Sequence, residues 1–196
     1  MGKIVYLMGK SSTGKDTLFK LLLRIDQLNL KNVVTYTTRP IRIKEREGVE
    51  YHFVDEEEYR RLKASGKIAE ERKYNTCHGL WRYFTVDDGS VVPDSGESYL
   101  MIGTLESYMS LKKYFGENML LPVYVEADDG ERLKRALSRE MKQEHPKYEE
   151  MCRRYLADNE DFSDINIEAA GIKRRFTNDV LEDCLSEITE YIKEWI

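Results

Sequence analysis

The chain alternates between short, continuous apolar runs and longer stretches in which apolar and charged residues are mixed. Apolar runs typical of strands buried on both faces of a parallel sheet occupy residues 3–8, 99–102 and 120–125. Two further runs, rich in β-branched and aromatic residues, occupy 33–38 and 50–54. This pattern predicts five strands, each separated by segments long enough to form connections across a sheet.

Helices are predicted between and after these strands, from apolar residues at helical spacing or from dense charge. The predicted helices cover 16–26, 55–65, 105–115, 131–142, 147–159 and 179–195. Strands that alternate with helices indicate an α/β fold with a parallel sheet. The sequence contains no repeat, linker or low-complexity tract, so we expect any subdomain to be an insertion into this one sheet.

The first predicted strand and helix are joined by the string Gly9-Lys10-Ser11-Ser12-Thr13-Gly14-Lys15, which matches G-x-x-x-x-G-K. In such a loop the glycines let backbone N–H groups point at phosphates, and the lysine adds charge at the β and γ oxygens. A plain Gly/Ser turn would not explain the strand, loop length, lysine and helix together. The predicted ATP-binding residues here are Gly9, Ser11, Ser12, Thr13, Gly14, Lys15, Asp16 and Thr17.

Asp16 stands where this motif usually carries the Ser or Thr that helps to hold Mg²⁺. A carboxylate that pointed inward would repel the phosphates. At a helix start it can turn outward, where it interacts favourably with the helix dipole. Thr17 could then supply the hydroxyl group, so we expect Mg²⁺ to arrive with ATP and Thr17 to lie on the metal side.

A second informative string runs from Thr35 to Phe53 and contains Arg39, Arg42 and Tyr51. Two guanidinium groups and a phenol are suited to hold a phosphomonoester dianion, although an isolated R-x-x-R is more often a solvated loop. The whole string resembles the T-T-R-x-x-R-x-x-E-x-x-G-x-x-Y-x-F signature of guanylate kinases, which are P-loop nucleoside monophosphate kinases. The similarity covers nearly the full chain and is poorest at about 72–98.

The resemblance implies an acceptor site formed by Thr35, Arg39, Arg42, Tyr51, Glu70, Tyr83 and Thr85. The two arginines and Tyr51 would hold the acceptor phosphate. Glu70 would accept hydrogen bonds from guanine N1 and N2, two adjacent donors that adenine does not present at that edge. Taken alone, Glu70 would be read as a surface acid. Asn178 resembles a family residue near the adenine of ATP.

Two positions depart from the family pattern. Phe84 stands between Tyr83 and Thr85, where the family has glycine. After the strand at 99–102 the family usually has an aspartate pair, whose second member contacts the base, but this chain has none. Thr104 and Glu106 are the nearby residues that could substitute for it. This loss weakens the assignment of guanine and leaves the assignment of a kinase intact.

The two charged helices on either side of Pro146 resemble the family's lid, whose arginines close over the transferred phosphoryl group. The lid arginines that the resemblance implies are Arg135, Arg139 and Arg153, which would act with Lys15 and Arg39 as the catalytic residues. A closing lid brings cations to the charge of the transition state and excludes water. The alternative for this segment is a salt-bridged, solvated helix face.

Composition limits the remaining possibilities. The 31 Lys and Arg against 36 Asp and Glu give a net charge of −5, which argues against a nucleic-acid or anionic-membrane binder. No apolar run approaches 18 residues, and the N-terminus does not resemble a signal peptide. The three cysteines (Cys77, Cys152 and Cys184) and the histidines, including His78, lack metal-ligand or disulfide spacing. We expect a cytoplasmic protein.

The sequence therefore predicts one guanylate-kinase-like domain over residues 1–196, with the P-loop NTPase fold. We expect a parallel core at about 1–34, 87–127 and 164–196, an inserted acceptor-binding part at about 35–86 and a helical lid at about 128–163. The expected reaction is phosphoryl transfer from MgATP to a nucleoside monophosphate, with GMP implied by the resemblance. The alternatives are a kinase of another small phosphorylated substrate on this scaffold, or an inactive guanylate-kinase-like binding module. The oligomeric state stays open.

Overall fold

The computed structural model of the chain describes residues 2–43, 45–76 and 79–196. Strands and helices alternate through much of this length. In chain order they are β1 (Ile4–Met8), α1 (Lys15–Leu22), β2 (Leu30–Asn32), β3 (Tyr36–Thr37), β4 (His52–Phe53), α2 (Glu56–Ala64), β5 (Ile68–Thr76), β6 (Gly79–Val86), β7 (Ser98–Gly103), α3 (Leu105–Phe115), β8 (Leu120–Glu126), α4 (Asp129–Glu140), α5 (Tyr148–Asp161), α6 (Asp164–Ala169), β9 (Arg175–Thr177) and α7 (Leu181–Lys193). Single 3₁₀ turns lie at Asp26–Leu28 and Glu117–Met119.

The central sheet has the strand order β2-β7-β1-β8-β9, and all of its pairings are parallel. Every residue of β1 is buried, because the strand lies in the middle of the sheet with helices on both faces. Helices α3 and α6 pack on one face, and α1 and α7 pack on the other. The predicted α/β fold is confirmed. The carboxyl ends of parallel strands meet at one edge, so the loops after β1, β7 and β8 are neighbours.

The second sheet has the order β4-β3-β6-β5 and is mixed, with β3 parallel to β4 and the β3–β6 and β5–β6 pairs antiparallel. Its long β5–β6 hairpin was not predicted. Its core contains Tyr59 of α2 with Phe84 and Val86 of β6. Phe84 therefore fills a buried core position, which explains a large side chain where the family pattern has glycine.

The prediction of a single strand at 33–38 is wrong. In the structure, β2 belongs to the central sheet and β3 to the second sheet. The chain crosses between the sheets at this point: the Val33 amide donates to the Leu100 carbonyl of β7, whereas the Thr35 carbonyl accepts from the His52 amide of β4. One continuous run of β-forming residues thus pairs with strands of two different sheets, because β propensity does not specify the partner strand.

The helix predicted at 105–115 coincides with α3, and the other predicted helices differ from the structure at their ends. Helix α4 begins before the predicted start, because the Asp128 side chain caps it by accepting from the Glu131 amide at 3.0 Å. The short elements α6 and β9 were not predicted, since six and three residues carry too little periodicity. In the described ranges, no helix is both long and apolar enough to cross a bilayer.

Two positions named in the sequence interpretation, Cys77 and His78, lie outside the described residues. Of the other cysteines, Cys152 is exposed and Cys184 is buried. Burial raises the pKa of the Cys184 thiol to about 11, so this thiol stays protonated at neutral pH. Across the part of the chain that the structure describes, no three His, Cys, Asp or Glu side chains are grouped to hold a metal.

Candidate active site

The loop from Gly9 to Gly14 connects the end of β1 to the start of α1 and is tightly shaped. A Cβ atom on Gly9 would collide with the Val125 carbonyl, and one on Gly14, at φ 88°, would collide with the Asn178 amide group. Ser12 also has a positive φ of 66°, in the left-handed region that is costly for a serine. The motif glycines are therefore required by close packing at both ends of the loop.

Hydrogen bonds from outside the loop fix this shape. The Asn178 side-chain amide donates to the Thr13 carbonyl at 2.7 Å, and the Arg135 guanidinium donates to the Asn178 carbonyl at 3.3 Å. Asn178 is only 4% exposed. The structure thus shows Asn178 supporting the loop, and the prediction that it contacts ATP stays a prediction.

The Ser11 amide of the loop already binds a carboxylate. The Ser11 N–H donates to a carboxylate oxygen of Asp158 from α5 at 2.6 Å. The Lys15 side chain is only 17% exposed and lies 3.8 Å from Asp16, whose own side chain is 80% exposed. Asp16 therefore turns outward at the helix start, as the sequence argument requires.

The first turn of α1 fits a magnesium ion that is held mainly by phosphates and water, which is how Mg²⁺ usually binds to nucleotides. Thr17 is exposed there and its hydroxyl is a suitable single ligand. Asp16 is next to it. The Thr17 side chain offers oxygen, the ligand atom that Mg²⁺ prefers.

Arg132 joins the loop to both charged helices and was not among the predicted site residues. Its side chain is 1% exposed, and its guanidinium donates to the Ser11 carbonyl and to Asn159, each at 3.1 Å. It also forms ion pairs with Asp129 and with Asp158, the latter at 3.7 Å. The sequence showed Arg132 only as one of several lid cations, and no pattern distinguished it as buried.

The three predicted lid arginines have different surroundings. Arg135 is partly buried and reaches the backbone beside the loop, whereas Arg139 and Arg153 are exposed. Arg153 pairs with Glu150 at 2.7 Å, and its hydrogen bonds lower the pKa of Glu150 to about 2 despite some burial. In this structure, Arg153 therefore takes part in a salt bridge on the helix face, the alternative that the sequence left open.

Arg39 lies at the centre of the predicted acceptor-phosphate clamp and is only 3% exposed. It forms a two-point pair with Glu45 at 2.7 and 2.9 Å, and donates to the Pro40 carbonyl and the Tyr83 hydroxyl. Four of its five N–H groups are thus engaged, so at most one can reach a ligand. The hydrogen bonds from Arg39 hold the pKa of Glu45 below its ordinary value.

Arg42 and Tyr51 complete this end of the site. The Arg42 side chain is exposed, while its backbone amide donates to Glu45 at 2.9 Å. The Arg39 guanidinium lies 5.3 Å from the centre of the Tyr51 ring, and burial raises the pKa of the Tyr51 phenol. Among these groups, Arg42 is the cation with the greatest freedom to move towards a phosphate.

Glu70 and Thr85, predicted as base readers, lie directly opposite each other on β5 and β6. The Thr85 hydroxyl donates to the Glu70 carboxylate at 2.9 Å, and both residues are buried. Arg72 donates to the same carboxylate at 3.1 and 3.3 Å. The sequence interpretation missed Arg72, although residues two apart on a strand share a face.

The remaining predicted residues divide between the two ends of the site. Tyr83 accepts from Arg39 and so belongs to the phosphate clamp. Thr35 is partly buried, and its carbonyl pairs with β4. Thr104 lies at the end of β7 next to Arg72, with 3.5 Å between its hydroxyl and the Arg72 guanidinium, whereas Glu106 is exposed. Of the two suggested substitutes for the aspartate, only Thr104 lies beside the Glu70 cluster.

The phosphate loop and Thr104, whose hydroxyl lies 3.5 Å from the Arg72 guanidinium, follow adjacent parallel strands. β1 ends at Met8 and leads into the loop, and its neighbour β7 ends at Gly103 and leads to Thr104. Adjacent strands are about 4.8 Å apart. The phosphate loop and the residue beside Arg72 therefore lie at the same edge of the central sheet.

Known proteins of one family resemble this chain. A sequence model described as guanylate kinase matches residues 1–79. A guanylate kinase of Mycoplasma mobile is 30% identical over 196 residues, which cover 100% of this chain and 94% of the relative. A guanylate kinase of Chlorobaculum tepidum is 31% identical over 138 residues, covering 69% and 67%. The crystal structure of guanylate kinase from Anaplasma phagocytophilum has a similar fold, with 21% identity, a TM-score of 0.64 and coverage of 100% and 87%.

Proposed function

The chain belongs to the guanylate kinase family, and we propose from this membership that it transfers the γ-phosphoryl group of ATP to GMP, giving ADP and GDP. The observation that supports this most strongly is the buried pair of Glu70 and Thr85 beside an intact phosphate loop. A carboxylate there suits guanine, because it can accept a hydrogen bond from the N1–H donor. The inactive-module alternative is disfavoured because Gly14 and Lys15 are both present.

No residue needs to act as a nucleophile, because positioning and electrostatics account for phosphoryl transfer. The loop amides and Lys15 would hold the β- and γ-phosphates of ATP. The Thr17 hydroxyl would help to hold the Mg²⁺ that accompanies ATP, and the ion would supply positive charge beside the phosphates. Arg42 and Tyr51 would hold the acceptor phosphate in line, with Arg39 as the rigid centre of that clamp.

We also propose a three-part organisation in which the helices directly after β8 move. We propose a core at about 1–34, 87–127 and 164–196, an acceptor-binding part at 35–86 and a lid at 128–163. Closure would bring Arg135, Arg139 and Arg153 towards the transferred group. We place the reaction in the cytoplasm, where ATP and GMP are available.

The direct test is ADP release with GMP, dGMP, AMP and a sugar phosphate as acceptors. We expect GMP to give the highest kcat/KM and AMP to be at least about 100-fold poorer, because adenine would place its N1 acceptor against the Glu70 carboxylate. Highest activity with the sugar phosphate would favour the same-scaffold alternative. GMP binding without any ADP release would favour the binding module.

Arg42 gives a prediction for the acceptor side. Arg42→Ala should raise KM for GMP by about one to two orders of magnitude, the effect of about 1.5–3 kcal/mol for one charge-assisted hydrogen bond. KM for ATP should change little, because Arg42 lies in the acceptor part. The matched control is Arg46→Ala, which removes another exposed arginine of the same loop. Equal increases in both KM values would place Arg42 elsewhere in the site.

Asp158 gives a prediction for the ATP side. Its carboxylate accepts from the Ser11 amide, so ATP must displace this contact and overcome repulsion from the charge. Asp158→Asn should therefore tighten ATP binding by about tenfold, within the range for one hydrogen bond to a charged group. Calorimetry on this variant and on Asp161→Asn, the same charge change at an exposed site of α5, measures the difference. Weaker ATP binding in Asp158→Asn would show that the carboxylate supports the loop.

A further inference from the structure

The Glu70 carboxylate has little capacity left for a ligand. Its side chain is 1% exposed and accepts three hydrogen bonds from described residues, one from Thr85 and two from Arg72. A carboxylate offers about four acceptor positions. At most one position therefore remains for the base of the acceptor nucleotide.

The acceptor positions of the Thr104 hydroxyl are also occupied. Its hydroxyl oxygen caps α3 by accepting from the Ser107 amide at 3.3 Å, and the Arg72 guanidinium lies 3.5 Å from the same oxygen. A hydroxyl has two acceptor positions. The Thr104 hydroxyl, at the end of β7 where the family pattern has a base-contacting aspartate, thus offers no further acceptor position.

Arg72 supplies donors in place of the missing carboxylate. The side chain is 11% exposed, and three of its five N–H groups are directed to Glu70 and Thr104. At most two N–H groups remain for a ligand. The site therefore presents one acceptor position on Glu70 next to the donors of a partly buried guanidinium.

This pattern matches part of the guanine edge. The 6-oxo group of guanine is an acceptor, N1–H is a donor, and the 2-amino group adds two more donors. Glu70 can accept from N1–H and Arg72 can donate to the 6-oxo group, but neither Glu70 nor Thr104 has a further acceptor position for the 2-amino group. Hypoxanthine presents the same 6-oxo and N1–H pair without the 2-amino group. Adenine presents its donor and acceptor in the reverse order.

We propose, resting on the proposed function, that Arg72 and Glu70 together read the 6-oxo/N1–H edge, so that the enzyme accepts 6-oxopurine nucleoside monophosphates, IMP as well as GMP. Arg72 is then a specificity-determining residue. It takes the place of the second carboxylate. The enzyme then recognises the 6-oxo group through the Arg72 donors and does not recognise the 2-amino group.

The first test is kcat/KM for GMP, IMP and AMP with the wild-type chain. GMP should exceed IMP by less than about tenfold, the effect of at most one ordinary hydrogen bond. Both should exceed AMP by at least about 100-fold. A GMP preference over IMP above tenfold, or AMP activity equal to that of IMP, overturns the inference and leaves the proposed function standing. No activity with GMP or IMP overturns the proposed function itself.

The second test restores a carboxylate at the end of β7. Thr104→Asp keeps the cap of α3, since aspartate caps helices as well as threonine does, and it adds acceptor positions. The GMP/IMP ratio should rise about tenfold above that of wild type. Thr104→Ser, which keeps the hydroxyl, should leave the ratio unchanged. An unchanged ratio in a folded Thr104→Asp variant with wild-type KM for ATP contradicts the inference.

Arg72→Met tests the donor directly. Loss of a contact to the shared 6-oxo group should lower kcat/KM for GMP and IMP by the same factor, about tenfold or more, with KM for ATP unchanged. Thermal melting shows whether the variant folds. If GMP activity falls while IMP activity does not, Arg72 does not contact the shared 6-oxo group and the inference is wrong.

Discussion

Replacing Lys15 by alanine should lower kcat by at least about 100-fold, the typical loss on removing one preorganised electrostatic contact to the transition state. Lys15 follows Gly14 at the start of α1, where the loop amides and the helix dipole already favour an anion. Its ammonium adds the mobile charge at the β and γ oxygens. The measurement is kcat at saturating ATP and GMP.

The fold should survive the Lys15→Ala change. The ion-pair partner of Lys15 is Asp16, at 3.8 Å, and Asp16 is exposed, so no buried charge is left unpaired. The melting temperature should therefore stay within a few degrees of wild type. Lys20→Ala, at an exposed position of the same helix, is the matched control and should keep wild-type kcat. Near-normal turnover by the Lys15→Ala variant would contradict the proposed role of the loop.

The central sheet could be predicted from the sequence because its strands are buried on both faces and so appear as continuous apolar runs. β1, β7 and β8 are of this kind. The β5–β6 hairpin could not be predicted, since β5 carries the charged string Glu70-Glu71-Arg72-Lys73. These charges form ion pairs with one another and with α2, so polar residues occupy a strand without apolar alternation.

The candidate site also contains residues that the sequence could predict and residues that it could not. Lys15 belongs to a motif with fixed spacing, and Glu70 and Thr85 were implied by the family pattern. Arg72 and Arg132 could not be found, because an arginine in a charged stretch is normally exposed. Their burial depends on partners that lie far away in the chain, such as Thr104 for Arg72 and Ser11 for Arg132.

Arg132 connects the proposed lid to the phosphate loop. Its guanidinium contacts Asp129 of its own helix α4, Asn159 of α5 and the Ser11 carbonyl of the loop. The Tyr155 ring of α5 covers it, with 4.8 Å from the guanidinium carbon to the ring centre. The two lid helices and the loop therefore share one buried cation, so a change in lid position acts directly on the loop backbone.

Arg132→Ala should destabilise the fold by about 3 kcal/mol, the lower end of the range for breaking a buried ion pair, because the half-exposed Asp129 can be rehydrated. For a chain of this length, that lowers the melting temperature by about 6–12 °C. Arg139→Ala, on the exposed side of the same helix, should leave the melting temperature nearly unchanged while it lowers kcat. Calorimetric melting and measurement of kcat on both variants separate the stabilising role of Arg132 from the catalytic role of Arg139. Equal melting temperatures for Arg132→Ala and wild type would show that the Asp129, Asp158 and Ser11 contacts of Arg132 do not stabilise the fold.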